Sequence, residues 1–125
     1  NIVLYHCISG YPIAFEDICL LEIARLKKHY GDKVKSIGFS GHHKGIAIDI
    51  AAYTLGAKWI ERHFTLDRTW KGTDHAASLE PDGLRRLKRD LIETYKALKF
   101  KDVDFLEVEK KQAKKLRWDR NKLNI

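Results

Sequence analysis

Apolar and polar positions along the chain switch between two periods. Ile2–Ile8 (IVLYHCI) is a short run rich in β-branched and aromatic residues, which predicts a strand buried on both faces. Ser9-Gly10-Tyr11-Pro12 follows with turn chemistry. Leu20, Ile23, Leu26 and Tyr30 then recur at helical spacing, predicting a helix over Glu16–Tyr30. Glu16 and Asp17 suit its first turn, where the helix dipole favours negative charge, and Gly31 suits its end. Val34–Ser40 (VKSIGFS) predicts a second strand, and Gly41–Gly45 a polar loop. Ile46–Leu55 is apolar on nearly every face and reads as a heavily buried helix stopped by Gly56. Lys58–Phe64 (KWIERHF) predicts a third strand. The loop Thr65–Ala77 carries little periodicity. Ser78 is placed to cap a last long helix that tolerates Pro81 in its first turn and carries Leu84, Leu87, Leu91, Tyr95 and Leu98 on one face. Beyond Phe100 the chain is mixed and charged, with one short helical pattern near Val108–Leu116.

Strand, helix, strand, helix, strand, helix is the order of an α/β fold with a parallel sheet and right-handed crossovers. A doubly wound sheet and a (β/α)8 barrel both satisfy it. The turn after the first strand is S-G-Y-P rather than G-x-G-x-x-G, and the chain contains no Walker A motif, which argues against a dinucleotide- or P-loop-type site.

In parallel α/β folds the site lies at the C-terminal strand ends. The first strand delivers Ser9 and Tyr11 there, the second Ser40 and His42, and the third His63, with Asp74 and His75 in its loop. Imidazoles from two strands can hold a divalent metal and leave positions open for water and substrate. Hydroxyls at the same rim can hold a phosphate or carboxylate. Plainer uses exist for each: turn and cap duty for Ser9 and Ser40, packing ahead of Pro12 for Tyr11, a satisfied structural role for either histidine. His6 reads as a hydrogen-bonded core residue, His29 as a helix C-terminal residue, His43 as loop surface and Trp59 as core. Trp70 and Lys71 read as a lid and an anion-reaching cation, or as solvated loop.

Composition adds bounds. Of 125 residues 44% are hydrophobic and 33% charged, ordinary for one soluble globular domain. No apolar run approaches the roughly 18–20 residues that span a bilayer. No signal-peptide pattern leads the chain, and with no methionine there is no initiator, so the expectation is a piece of a longer protein. Cys7 and Cys19 are too few for a disulfide framework and are expected to be buried thiols in a cytoplasmic protein. The net charge of +7 resides wholly between Arg85 and Lys122, where acids interrupt the basic run. That reads as a solvated helix face rather than a nucleic-acid surface.

The residues also carry a specific likeness. Leu4–Pro12 (LYHCISGYP), Gly38–Ile48 (GFSGHHKGIAI), Gly56–Asp67 (GAKWIERHFTLD) and Thr69–Pro81 (TWKGTDHAASLEP) resemble, in order and with natural spacing, the later strand ends of the N-acetylneuraminate (sialic acid) synthase family. The resemblance implies three βα units of a (β/α)8 TIM barrel, an incomplete fragment from its C-terminal half over residues 1–100, with 101–125 a charged tail or linker. It implies metal-dependent condensation of phosphoenolpyruvate with N-acetylmannosamine or its 6-phosphate. Carbon attacks the sugar aldehyde, which a bound Mn²⁺ or Mg²⁺ polarises; water then adds and phosphate leaves by C–O cleavage. By the same resemblance His42 and His63 are metal ligands, Ser40 and Ser9 lie at phosphoenolpyruvate, Tyr11 lies at the sugar, and Asp74 stands beside metal and sugar as the catalytic carboxylate. Gly41 and His43 depart from the Asp and Thr of some bacterial members. The T-W-K-G-T-D-H wording leans toward the phosphate-using branch. The longer enzyme is expected to be a homodimer, with no nucleic-acid or membrane partner. Three strands cannot close a barrel, so the fragment alone is expected to be inactive. The alternatives are another metal-dependent barrel enzyme, an isomerase or aldolase, and a non-catalytic half-barrel assembly piece.

Overall fold

The computed structural model describes residues 1–116. Its order is β1 (Val3–Cys7), α1 (Glu22–Tyr30), β2 (Ser36–Gly41), α2 (Ala47–Thr54), β3 (Trp59–Arg62), α3 (Pro81–Ala97) and α4 (Glu107–Leu116). The strands form one parallel sheet in the order β1-β2-β3, in register from Val3↔Ser36 to Cys7↔Ser40 and from Gly38↔Trp59 to Gly41↔Arg62. The fold is thus α/β with a parallel sheet, as the alternating pattern predicts, and α4 falls on the expected tail helix. Residues 117–122 of the basic stretch lie outside the described residues.

The two faces of the sheet differ. Ile37 and Phe39 of β2 join Ile18, Ile23, Ala52 and Ala57 in one apolar core, against which Leu4 and Ile60 also pack. That face is covered by α1 and α2. By the two-residue alternation of a strand, Tyr5, Cys7, Ser40, Trp59 and Glu61 point the other way. On that face the Tyr5 ring lies across its register partner Gly38, where an added Cβ would come within 2.6 Å of Tyr5 Cε1.

This asymmetry corrects three expectations. β1 is only partly buried, because Tyr5 and Cys7 look to the uncovered face; Cys7 is exposed and Trp59 is 49% exposed for the same reason. Cys19 is exposed too, for another reason: it takes φ +49° in the connection before α1. That left-handed residue also explains why the helix begins at Glu22 rather than Glu16, residues 15–17 forming a separate 3-10 turn. Ser78 does not cap α3. Its hydroxyl donates to the Asp74 carbonyl at 2.8 Å, and Glu80, extended, precedes Pro81 at the helix start. His6 and His29 sit as expected. His6 is buried with Nε2 donating to the Ile18 carbonyl at 2.7 Å, and His29 is exposed in the last turn of α1. No helix among the described residues is long and apolar enough to cross a membrane.

Candidate active site

The register sets the site. β2 and β3 end on the pair Gly41↔Arg62, and His42 and His63 are the next residue on each chain. Their rings lie 5.2 Å apart, centroid to centroid, in a T-shaped arrangement. Tyr11, from the turn after β1, closes over both, at 4.3 Å from the His42 ring and 5.6 Å from the His63 ring. The β1 turn is held there by the Ile13 amide, which donates to the His42 carbonyl at 3.1 Å.

His42 is only 4% exposed. Its Nδ1 lies 2.8 Å from the Ile8 carbonyl oxygen. A carbonyl only accepts, so Nδ1 carries the proton and Nε2 of the neutral ring keeps its lone pair. A metal-binding imidazole is oriented by the same kind of bond. His63 Nδ1 stands 3.7 Å from Asp74 Oδ2, with both side chains substantially exposed. The loop that carries Asp74 is closed at its base: the Leu79 amide donates to the His63 carbonyl at 2.8 Å and the Thr65 amide to the Leu79 carbonyl at 3.0 Å. Within it, the Thr73 hydroxyl donates to Asp74 Oδ1 at 3.0 Å.

Ser40 stands one step down β2 and is buried. Its hydroxyl donates to Glu61 Oε1 at 2.8 Å across the sheet. Ser9 is exposed in the loop after β1. The structure therefore brings Tyr11, His42, His63 and Asp74 together at one rim and places Ser40 just below. Trp70, half-exposed, packs edge-on against His75 at 5.7 Å, and Lys71 is exposed. Two strand-end imidazoles, one with its lone pair freed by Ile8, are donors of the kind a divalent metal takes. Among the described residues no group of three or more His, Cys, Asp or Glu side chains converges as a complete metal cage.

Sequence reasoning missed four residues. Glu61 shares the His63 face by simple alternation in W-I-E-R-H, a signal legible from that pattern. The other three form a charged cluster on the helix side. His43, expected at the loop surface, is fully buried, because its ring turns inward into the space Gly41 leaves; a Cβ on Gly41 would come within 2.9 Å of that ring. Asp49 of α2 is also fully buried and Arg62 has a side chain 3% exposed. Arg62 Nη1 donates to Asp49 Oδ2 at 2.6 Å and to the Gly45 carbonyl at 2.8 Å. Arg62 Nη2 donates to the His43 carbonyl at 2.6 Å and to the Ala77 carbonyl at 3.1 Å. An aspartate inside an otherwise apolar helix was the available signal, since a buried carboxylate needs a buried cation.

Residues 1–103 match the family model described as the NeuB family. The chain is 49% identical over 98 residues to the N-acetylneuraminate-9-phosphate synthase of Homo sapiens, covering 78% of this chain and 27% of that protein. It is 43% identical over 99 residues to the N,N'-diacetyllegionaminic acid synthase of Campylobacter jejuni, covering 78% of this chain and 28% of that one. The crystal structure of an N-acetylneuraminic acid (sialic acid) synthetase from Leptospira borgpetersenii, in complex with citrate, superposes with a TM-score of 0.71 at 34% identity, covering 94% of this chain and 41% of that one. The chain thus spans about a quarter of the length of the curated relatives it matches.

Proposed function

Because the chain belongs to the NeuB family, we propose that it is the C-terminal half of a (β/α)8 barrel synthase that joins phosphoenolpyruvate to N-acetylmannosamine or its 6-phosphate. The observation that carries this reading is the convergence of Tyr11, His42 and His63 one residue beyond the last rung of the sheet. In this reading residues 1–100 are barrel and 101–125 a charged tail.

His42 and His63 would hold Mn²⁺ or Mg²⁺, which when bound supplies Lewis-acid polarisation of a carbonyl oxygen. The Ile8 carbonyl fixes the His42 ring and presents its Nε2. The Tyr11 ring covers both imidazoles and, with its hydroxyl, forms one wall for the sugar. Asp74, beside His63, orients a water or a sugar hydroxyl. The Ser40 and Ser9 hydroxyls serve the phosphoenolpyruvate end. The remaining walls of the pocket belong to the rest of the barrel, so the 125-residue chain alone has no synthase activity. The whole enzyme acts as a homodimer in the cytoplasm, where the two free thiols Cys7 and Cys19 fit a reducing compartment.

High identity to the human enzyme named for a 9-phosphate product supports the phosphorylated acceptor. In the longer enzyme carrying this segment, His63→Ala is expected to abolish metal-dependent condensation, read as phosphate release and keto-sugar formation from phosphoenolpyruvate. Unchanged turnover in that variant would remove His63 from the metal site. A purified fragment that made product would refute its incompleteness. A substrate screen in which phosphoenolpyruvate is ignored while an isomerase or aldolase substrate turns over would favour another barrel enzyme.

A further inference from the structure

Arg62 and His63 are adjacent, yet they point to opposite faces of the sheet. His63 enters the rim; Arg62 enters the helix layer directly behind it. A guanidinium carries five N–H protons, four of them on its two terminal nitrogens. Those four are all committed: to Asp49 Oδ2, to the Gly45 carbonyl, to the His43 carbonyl and to the Ala77 carbonyl. Two of these carbonyls belong to the turn that leaves His42, and the third ends the turn that begins at Asp74. His43 Nε2, 3.2 Å from Arg62 Nη1, is left no proton to accept, so it carries its own toward Asp49 Oδ2 at 3.4 Å. Asp49 balances the charge from α2 and is itself fully buried.

We propose that Arg62 is a positioning residue: it clamps the His42 turn and the Asp74 turn to one strand, fixing their separation before any ligand arrives. This rests on the reading of His42, His63 and Asp74 as the site. The geometry favours a fork over a point charge. A lysine at 62 could satisfy three acceptors at most from a single nitrogen and cannot span carbonyls on two different turns in one plane. The role is carried through the backbone, since Arg62 faces away from the rim.

The test uses Arg62→Lys and the paired variant Arg62→Met with Asp49→Leu, which replaces both buried charges at once and so leaves neither unpaired. Imidazole nitrogen NMR of the metal-free longer enzyme carrying this segment, at a pH where the rings are neutral, reads the His42 tautomer. Titration with Mn²⁺ alone reads broadening at His42 and His63. In wild type His42 is expected as a single Nδ1–H tautomer. In folded variants it becomes a mixture, and the Mn²⁺ dissociation constant rises, by less than the roughly 10–100-fold that loss of a direct outer partner such as the Ile8 carbonyl costs. Folded variants with a wild-type His42 signature overturn the proposal. If Arg62→Lys does not fold, the paired variant decides, and failure of both assigns Arg62 to folding alone and overturns it as well. If the wild-type longer enzyme shows no Mn²⁺ broadening at His42 and His63, the metal reading fails, while the tautomer still decides the clamp.

Discussion

His42 donates its Nδ1 proton to the carbonyl oxygen of Ile8, across 34 residues of chain, at 2.8 Å. The bond ties the end of β2 to the end of β1 and leaves Nε2 its lone pair. His42→Asn keeps a donor for Ile8 but loses the ring lone pair. Stability is expected to fall by no more than about 1.5 kcal/mol, the scale of one net hydrogen bond. Mn²⁺ affinity is expected to fall by more than the roughly 10–100-fold that loss of an outer partner costs. Chemical denaturation and Mn²⁺ titration check the two halves separately, and retained affinity would remove His42 as a ligand.

Gly41 is needed for space. An added Cβ would meet the His43 ring and the Phe39 ring, each at 2.9 Å. Neither neighbour is a loose surface tip, since both are buried. Gly41→Ala is expected to destabilise by about 1–3 kcal/mol through overpacking. The paired change Gly41→Ala with His43→Thr, which removes the ring, should recover part of that loss in a urea titration. Strict additivity of the two changes would refute the steric coupling.

Asp49 and Arg62 should behave as a pair. Asp49→Leu alone leaves a guanidinium buried without its carboxylate and is expected to cost about 3–5 kcal/mol. Adding Arg62→Met should restore much of the loss, although three carbonyls then lose a donor. A denaturation double-mutant cycle measures the coupling. A single variant as stable as the double would show that the ion pair matters little.

Asp67 has a carboxyl held below its ordinary value, chiefly by the Thr69 hydroxyl, which donates to Oδ1 at 2.6 Å, and next by the Thr69 amide at 2.7 Å. The folded chain therefore binds this proton less readily than the unfolded one. The linked stability is present above the ordinary carboxylate pKa and is lost as pH falls through the lowered folded value. Thr69→Ala removes the hydroxyl and keeps the amide, so the Asp67 midpoint should rise part of the way back. Carboxyl carbon NMR over the acid range measures it, and an unmoved midpoint would exclude Thr69 as the main cause.

Much of this was legible in the chain. Short apolar runs rich in β-branched and aromatic residues located the three strands, and the Leu84–Leu91 spacing located α3, because burial of one helix face forces that period. Strand ends then placed Tyr11, His42, His63 and Asp74 near one another without any contact being known. What the pattern did not reveal was which face of the sheet the helices would cover; Cys7 and Trp59 look apolar in either case. Nor does a run of apolar letters show that the chain turns left-handed at Cys19 and delays α1. His43, Asp49 and Arg62 come from a loop, a helix and a strand, and no periodicity in any one of them shows that Arg62 meets Asp49 in the helix layer.

The last rung of the ladder, Gly41↔Arg62, also acts as an index mark. Because successive side chains alternate faces, the sheet assigns opposite work to two adjacent letters, Arg62 and His63. A slip of β3 by a single residue would exchange them, driving an imidazole into the helix layer and a guanidinium into the rim. The Gly56–Lys58 connection therefore has a counting role that no side chain in it discloses: its length keeps the two strands in phase.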